Sequence, residues 1–285
     1  MESILVVQVE RPLKLLKIIC RIYLVSYFLN IRLNHITNHN ILWYARYNMA
    51  KFLIDELSLF FPAYNEEGNT RKTVLSAKKI LEKTAKKWEI IIVNDGSKDK
   101  TKEISEKLAS EDSRIKVINH PVNRGYGGAF KSGLYGAKYD WITFTDIDGQ
   151  FDFSEIDKFI EKQKETEADL VIGYYKKRQV SKFKILTSKM WEIVVYLLFG
   201  LHVKDIDCGF KLISKKVVNK IPKLESERGA FISSEFLIKS KRNKFKIIEI
   251  PVTHFPRVAG KGTGRDISVI IKSFVDLFRL WKKLR

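Results

Sequence analysis

The sequence predicts an α/β protein built around a mostly parallel, buried sheet. Short β-branched runs alternate with segments of helical periodicity from residue 57 onward. The runs are continuously apolar rather than alternating, as in strands covered on both faces. The chain has 285 residues, and a chain of that size buries roughly 75% of its unfolded surface.

The elements follow in order. Leu57–Phe61 is a short apolar run ended by Pro62, and Thr70–Lys87 carries apolar residues at helical spacing. Trp88–Val93 is a β-branched run, Lys100–Ser110 is helical, and Arg114–Asn119 alternates as a strand should. Gly125–Gly136 reads as a small-residue helix, and Trp141–Thr145 as a strand. Ser154 is placed to cap a helix running to about Thr166, followed by a strand at Ala168–Gly173. The later part is less regular. It offers a helix around Lys184–Phe199, a strand at Gly209–Ile213, a helix at Ser233–Lys241 and a strand at Lys246–Val252. The tail, Asp266–Arg285, reads as an amphipathic helix.

The first 48 residues lack sustained periodicity, although Leu13–Leu29 could form an amphipathic helix with Lys14, Lys17 and Arg21 at helical spacing. Met49 opens a more compact pattern. Residues 1–48 are therefore expected to be an appendage, and Met49 an alternative start. The expected organisation is an extension over 1–48, a catalytic domain over 49–265 and a terminal helix over 266–285.

Composition narrows the function. Apolar residues make up 45% and charged residues 30%, which excludes overall disorder. The formal net charge of +19 points to an anionic partner. The charge is uneven: +4 over residues 1–50, −2 over 51–169 and +17 over 170–285. Two cysteines, Cys20 and Cys208, are too few for a disulfide framework and leave a reducing compartment as the expectation. The longest uncharged apolar runs, Ile22–Ile31 and Ile193–Val203, hold 10 and 11 residues. A membrane span needs roughly 18. Glu2 and Glu10, with no small-residue cleavage site, argue against a signal peptide.

In open parallel sheets, ligands bind beyond the carboxyl ends of the strands. Three such ends carry carboxylates: Pro62-Ala63-Tyr64-Asn65-Glu66-Glu67, Asn94-Asp95-Gly96-Ser97 and Asp146-Ile147-Asp148-Gly149-Gln150. Stability gives no reason to gather like charges there, because they repel. A bound cation or a hydrogen-bonding ligand would compensate. Asp146 and Asp148 can share one Mg²⁺ or Mn²⁺ with Gln150 as a neutral oxygen ligand; the plain alternative is a turn at Asp-Gly. Asp95-Gly96-Ser97 can accept from a nucleobase or ribose, or can simply cap a helix. Arg124-Gly125-Tyr126-Gly127-Gly128 has the look of a phosphate loop without matching its known spacings. Its small residues could equally let a helix pack close to the sheet.

Together, P-A-Y-N-E-E, N-D-G-S, N-R-G-Y-G-G-A and D-I-D-G-Q resemble the family 2 glycosyltransferases of the GT-A fold, a Rossmann-like three-layer sandwich. Within them the sequence is most similar to the dolichol-phosphate mannose synthase and polyprenyl-phosphate glycosyltransferase branch. Asp205-Ile206-Asp207-Cys208-Gly209-Phe210-Lys211-Leu212 fits that branch, as do Glu249-Ile250-Pro251-Val252, Arg257 and Gly260-Lys261-Gly262-Thr263. The resemblance covers about residues 57–285.

The resemblance implies that Pro62, Tyr64, Glu66 and Asp95 hold the nucleotide of a nucleotide-diphosphate sugar, of the GDP-mannose or UDP-glucose type, with Asp146 at the diphosphate. Asp146, Asp148 and Gln150 would hold the metal. Arg257 and Lys261 would lie on a loop over the donor or acceptor phosphate. Asp205, Asp207 and Glu235 would sit near the sugar and acceptor. The usual G-x-R after strand five is here Gly173-Tyr174-Tyr175-Lys176-Lys177-Arg178. Arg178 is the candidate for the acceptor phosphate, with Lys177 as the alternative. A polyprenyl phosphate acceptor needs no strong base; for a hydroxyl acceptor such as a glycan, Asp207 is the first candidate. His254 is read as structural.

The expected activity is metal-dependent, inverting sugar transfer to a polyprenyl phosphate. The basic half would face that phosphate and an anionic membrane surface. Ile267–Leu284 and Trp191–Leu201 are the expected contacts, against the alternative that both helices pack only on their own domain. Attachment would be peripheral, on the cytoplasmic face, or through a membrane partner protein. A nucleic-acid-binding role for the basic half has no recognisable motif behind it.

Overall fold

The computed structural model describes residues 52–176, 182–227, 231–256 and 267–284. The chain divides between Lys51 and Phe52, and the described residues all lie in the second unit. The extension at 1–48 therefore lies outside them, as do Lys177, Arg178, Arg257 and Lys261.

The chain alternates strand and helix as its periodicity predicts. The order is β1 (Ile54–Ala63), α1 (Glu67–Thr84), β2 (Ala85–Asn94), α2 (Thr101–Glu111), β3 (Ile115–Asn119), α3 (Tyr126–Gly136), β4 (Trp141–Phe144), α4 (Ile156–Thr166) and β5 (Leu170–Tyr175). Then come α5 (Lys182–Phe199), β6 (Lys211–Ser214), α6 (Lys215–Lys220), α7 (Phe231–Arg242), β7 (Ile247–Val252) and α8 (Ile267–Leu284). The seven strands form one sheet in the order β3-β2-β1-β4-β6-β5-β7. Only β6 runs against its neighbours β4 and β5; the other pairs are parallel.

Each face of the sheet carries its own core, because successive side chains on a strand point opposite ways. On one face Phe60, Ile91, Val93, Phe144 and Ile172 pack with α3, α5, α7 and α8. On the other, Leu59, Phe61, Ile90, Ile92 and Leu212 pack with α1, α2 and α4. The first core is knit by aromatic pairs: Phe60 stacks on Phe144 at 5.1 Å, and Phe130 of α3 meets Phe144 edge-on at 4.9 Å.

Several boundaries differ from expectation for identifiable reasons. The helix expected to reach Lys87 ends at Thr84, and Ala85–Lys87 join β2 instead. Lysines favour helix, but Ile54 pairs with Ala85 and Glu56 with Lys87, and the Lys87 ammonium meets the Glu56 carboxylate at 2.8 Å. Pairing overrides propensity here. Pro62 lies inside β1 rather than beyond it. It pairs with β2 but sits past Phe60, the last residue of β1 paired with β4, so its missing N–H is tolerated. The expected cap Ser154 is replaced by Asp152, whose side chain accepts from the Ser154 N–H at 2.9 Å. A 3₁₀ turn at Phe153–Glu155 follows, so α4 starts at Ile156. The short helix α6 has no counterpart in the sequence reading.

Two buried or part-buried carboxylates make the fold acid-sensitive. Glu89 is fully buried on β2. Burial pushes its carboxyl up, but bonds from Lys116, the Lys138 N–H and Ser58 outweigh this and hold it below its ordinary 4.5. Asp112 is held well below the usual range, chiefly by Arg114 and also by Lys78. Carboxyls depressed in the folded state contribute stability above their unfolded pKa and lose it as pH falls through the folded one. The urea midpoint is therefore expected to hold near neutrality and to fall as pH drops below about 4.5. A midpoint unchanged at about pH 3 would contradict this assignment.

Candidate active site

All parallel strands end on one edge of the sheet, and the reversed strand β6 begins there. The loop Asp205–Phe210 thus arrives between the ends of β4 and β5, where Gly209 meets Asp146, a meeting that the reversal of β6 creates.

After β1, the turn is laced to the one after β2. The Asn65 N–H donates to Ser97 Oγ at 3.0 Å and the Glu66 N–H to Thr101 Oγ1 at 2.8 Å. Lys98 N–H returns to Asn65 Oδ1 at 2.8 Å, and Glu67 N–H donates to Asp99 Oδ2 at 3.0 Å. The Glu66 carboxylate accepts from Asn69 Nδ2 at 2.8 Å. Pro62, Tyr64 and Glu66 are all part-exposed along this turn. Asp99 joins the turn unannounced by the sequence reading. Burial pushes its carboxyl up, yet bonds from Thr101 and from backbone N–H groups bring it below its ordinary value.

Asp95 ends β2 almost wholly buried, at 2% exposure. Its Oδ1 accepts from His120 Nδ1 at 2.6 Å and the Arg124 N–H at 2.9 Å; its Oδ2 accepts from the Gly125 N–H at 2.8 Å. A carboxylate offers about four lone-pair sites, so three are already used inside the chain. The glycine-rich segment behaves more as packing than as a phosphate cradle, since the Gly128 N–H donates to Glu227 O at 2.8 Å. Arg124 and Lys131 both pair with the Glu227 carboxylate.

The D-I-D-G-Q segment leaves β4. Asp148 is buried at 3% exposure and accepts from the Gln150 N–H at 3.0 Å. Thr73 of α1 donates to Ile147 O at 2.9 Å, fixing the middle of the segment. Gln150 is tied to the chain beyond β7: its Nε2 donates to Phe255 O at 3.1 Å, and the Phe255 N–H to Gln150 O at 2.8 Å. Asp146 is bracketed. Tyr126 donates to its Oδ1 at 3.4 Å, and a Cβ on Gly209 would fall 2.6 Å from its Oδ2, so only glycine fits there. The Thr145 hydroxyl beside it is buried without a hydrogen-bond partner among the described residues.

The loop entering β6 adds Asp205, buried, and Asp207, exposed; Asp205 Oδ1 accepts from the Asp207 N–H at 3.1 Å. Lys211 is fully buried beneath them and donates to Ile206 O and Cys208 O. Burial holds its ammonium below the ordinary lysine value, against the pull of Cys208 and the nearby aspartates. The Cys208 thiol is pushed up to about 12, chiefly by burial, so it is no nucleophile. His254 packs edge-on to Tyr175 at 4.5 Å and Phe151 at 5.6 Å, within an aromatic cluster.

Glu235, expected near the sugar and acceptor, is bonded within the fold. It is 1% exposed in α7, pairs with Lys239 at 2.6 Å and accepts from the Glu225 and Ser226 N–H groups at 2.9 Å each. All its oxygens serve the fold. His120 and Asp99 escaped the sequence reading, and Lys211 was quoted in its motif without a role. His120 directly follows β3, so inspecting every strand end would have found it.

The comparisons follow this geometry. The model of "Glycosyl transferase family 2" matches residues 58–222, more than half of the chain. A dolichyl-phosphate beta-glucosyltransferase of Trichomonas vaginalis is 34% identical over 238 residues, covering 79% of this chain and 72% of the relative. The enzyme of that name from Saccharomyces cerevisiae is 31% identical over 221 residues, covering 69% and 66%. The one from Homo sapiens is 28% identical over 216 residues, again 69% and 66%. Among solved structures, glucosyl-3-phosphoglycerate synthase from Mycobacterium tuberculosis, with Mn²⁺, UDP-glucose and phosphoglyceric acid, superposes with a TM-score of 0.61. Its identity is 17% over 80% of each chain, so the likeness concerns the fold, which is GT-A.

Proposed function

Because the chain belongs to the family 2 glycosyl transferases, in the polyprenyl-phosphate sugar transferase branch, we propose that it moves glucose from a nucleoside-diphosphate glucose to a dolichyl-type polyprenyl phosphate. The shared activity of the relatives from three organisms carries this reading. It favours a donor of the UDP-glucose type over the GDP-mannose type.

Pro62, Tyr64, Glu66 and Asp95 line the nucleotide side. Asp146, Asp148 and Gln150 fit a Mg²⁺ or Mn²⁺ ion. Among the described residues no group of three or more His, Cys, Asp or Glu is placed to hold a metal ion by itself. That suits an ion of which a donor diphosphate supplies the remaining ligands. Gln150 commits its amide nitrogen to Phe255, leaving Oε1 for the ion. When bound, the ion neutralises charge building on the β-phosphate as the sugar leaves. Arg257 and Lys261 supply further cations to that charge. The acceptor phosphate is already anionic, so Arg178 and Arg257 position it and no base is required. Its attack forms the new bond at the anomeric carbon as the bond to the β-phosphate breaks, inverting the configuration. Asp207, exposed on the loop entering β6, would meet the sugar hydroxyls.

The membrane reading rests on α5 and α8. Among the described residues no helix is long and apolar enough to cross a membrane. Yet Met190, Ile193, Tyr196 and Leu197 of α5 and Val275 and Phe278 of α8 are exposed, with Arg279, Lys282 and Lys283 nearby. Trp191 meets Phe274 at 5.0 Å, joining the two helices. We place this face peripherally on an anionic, cytoplasmic leaflet. Leu197→Glu with Phe278→Glu is expected to lower binding to phosphatidylserine vesicles about tenfold or more, without loss of fold. Unchanged binding would remove this surface from the account.

The activity is tested by offering UDP-glucose or GDP-mannose with a short polyprenyl phosphate, and identifying products by mass. Glucosyl polyprenyl phosphate is expected. A mannosyl product would overturn the donor, and transfer only to a glycan hydroxyl would overturn the acceptor.

A further inference from the structure

Asp95, His120 and Ser132 form a chain that the transfer reaction does not itself require. His120 Nδ1 meets Asp95 Oδ1 at 2.6 Å, and His120 Nε2 meets Ser132 Oγ at 2.8 Å. Aspartate, histidine and serine in this order invite comparison with a nucleophilic triad. The setting speaks against that use. Ser132 is part-exposed but lies in the middle of α3, and His120 and Asp95 are 7% and 2% exposed, so the base and its orienting carboxylate are shut inside the fold.

The bonding order is fixed by chemistry. A carboxylate only accepts, so the Nδ1 facing Asp95 carries the hydrogen. In the neutral ring Nε2 then accepts, and Ser132 donates to it. His120 and the Arg124 N–H together fill Oδ1, and the Gly125 N–H takes one site on Oδ2. The remaining site of the carboxylate is on Oδ2. The loop hanging on Asp95 has little slack. Gly96 has φ +68, and a Cβ there would lie 2.6 Å from the Asn123 nitrogen. Asn123 Nδ2 also donates to Asp95 O at 3.2 Å.

We propose that His120 is a positioning residue for the donor site: held between Ser132 and Asp95, it fixes which carboxylate oxygen of Asp95 is presented to a bound nucleotide. The inference rests on the reading of Asp95 as a nucleotide-side residue. Without the Nδ1–H, Oδ1 regains a vacant site and the carboxylate can turn, carrying the Arg124–Gly125 backbone with it. Donor binding suffers; acceptor binding does not.

The test is calorimetric titration of UDP, with Mn²⁺ present, into the full chain and three variants. His120→Leu is expected to weaken UDP about tenfold while the acceptor KM stays within about twofold. His120→Asn, whose amide N–H can replace the Nδ1–H, is expected to recover to within about threefold of wild type. Ser132→Ala removes only the support and is expected to weaken UDP about threefold, which keeps the test alive if His120→Leu does not fold. Folded His120→Leu or Ser132→Ala that binds UDP as wild type does overturns the inference alone. So does His120→Asn as defective as His120→Leu. Wild-type protein that binds neither UDP nor GDP overturns the donor-site reading and this inference with it.

Discussion

Asp148→Ala is expected to lower kcat by about 10³-fold or more, the scale of losing a preorganised electrostatic group at a developing charge. The residue is 3% exposed and sits at the end of β4, where its Oδ1 accepts from the Gln150 N–H. Removing the carboxylate would deprive the proposed Mg²⁺ or Mn²⁺ site of a ligand and the Gln150 N–H of its acceptor. Initial rates of sugar transfer at saturating Mn²⁺, with the melting temperature measured alongside, check this. A folded variant within about tenfold of wild type would remove Asp148 from the metal site.

Lys239→Met is expected to cost about 3–5 kcal/mol of stability, the scale of orphaning one partner of a buried ion pair. Glu235 and Lys239 are 1% and 2% exposed on their side chains, and face each other at 2.6 Å one turn apart in α7. Burial pushes the Glu235 carboxyl up, but Lys239 and the N–H groups of Ser226 and Glu225 hold it below its ordinary value. Without Lys239 the charge has no cation within the core, and the Lys239 bond to Lys223 O at 2.7 Å is lost too. Urea unfolding of wild type, Lys239→Met and Lys239→Met/Glu235→Gln separates the possibilities. The double variant should regain part of the loss, because glutamine still accepts from Glu225 and Ser226 without a buried charge. Stability unchanged in Lys239→Met, with transfer lost, would restore Glu235 to the sugar side.

The contrast between those residues shows what the sequence makes legible. Asp146, Asp148 and Asp95 were readable because strand-end carboxylates have no stabilising reason to gather, and the strands could be placed by their β-branched runs. The parallel sheet was readable for the same reason. The bonding of Glu235 was not legible, because its partner lies one turn along a helix and its donors come from Glu225 and Ser226, a segment with no periodicity of its own. The burial of Lys211 beneath the aspartates was not legible, for a topological reason. Nothing local announces that β6 reverses, and without that reversal the Asp205–Cys208 loop would not meet Asp146. Lysines 86 and 87 were read as helix because pairing with β1 is a non-local fact.

The +17 carried by residues 170–285 lies on the half that holds α5, α8 and the expected acceptor cations. The donor half gathers the carboxylates and is nearly neutral. The most direct test of this division is the rate of glucosyl transfer from UDP-glucose to a short polyprenyl phosphate, measured with Mn²⁺ and again with EDTA. The account predicts a glucosyl polyprenyl phosphate of inverted anomeric configuration with Mn²⁺, and none with EDTA. Undiminished transfer in EDTA, or a product of retained configuration, would contradict it.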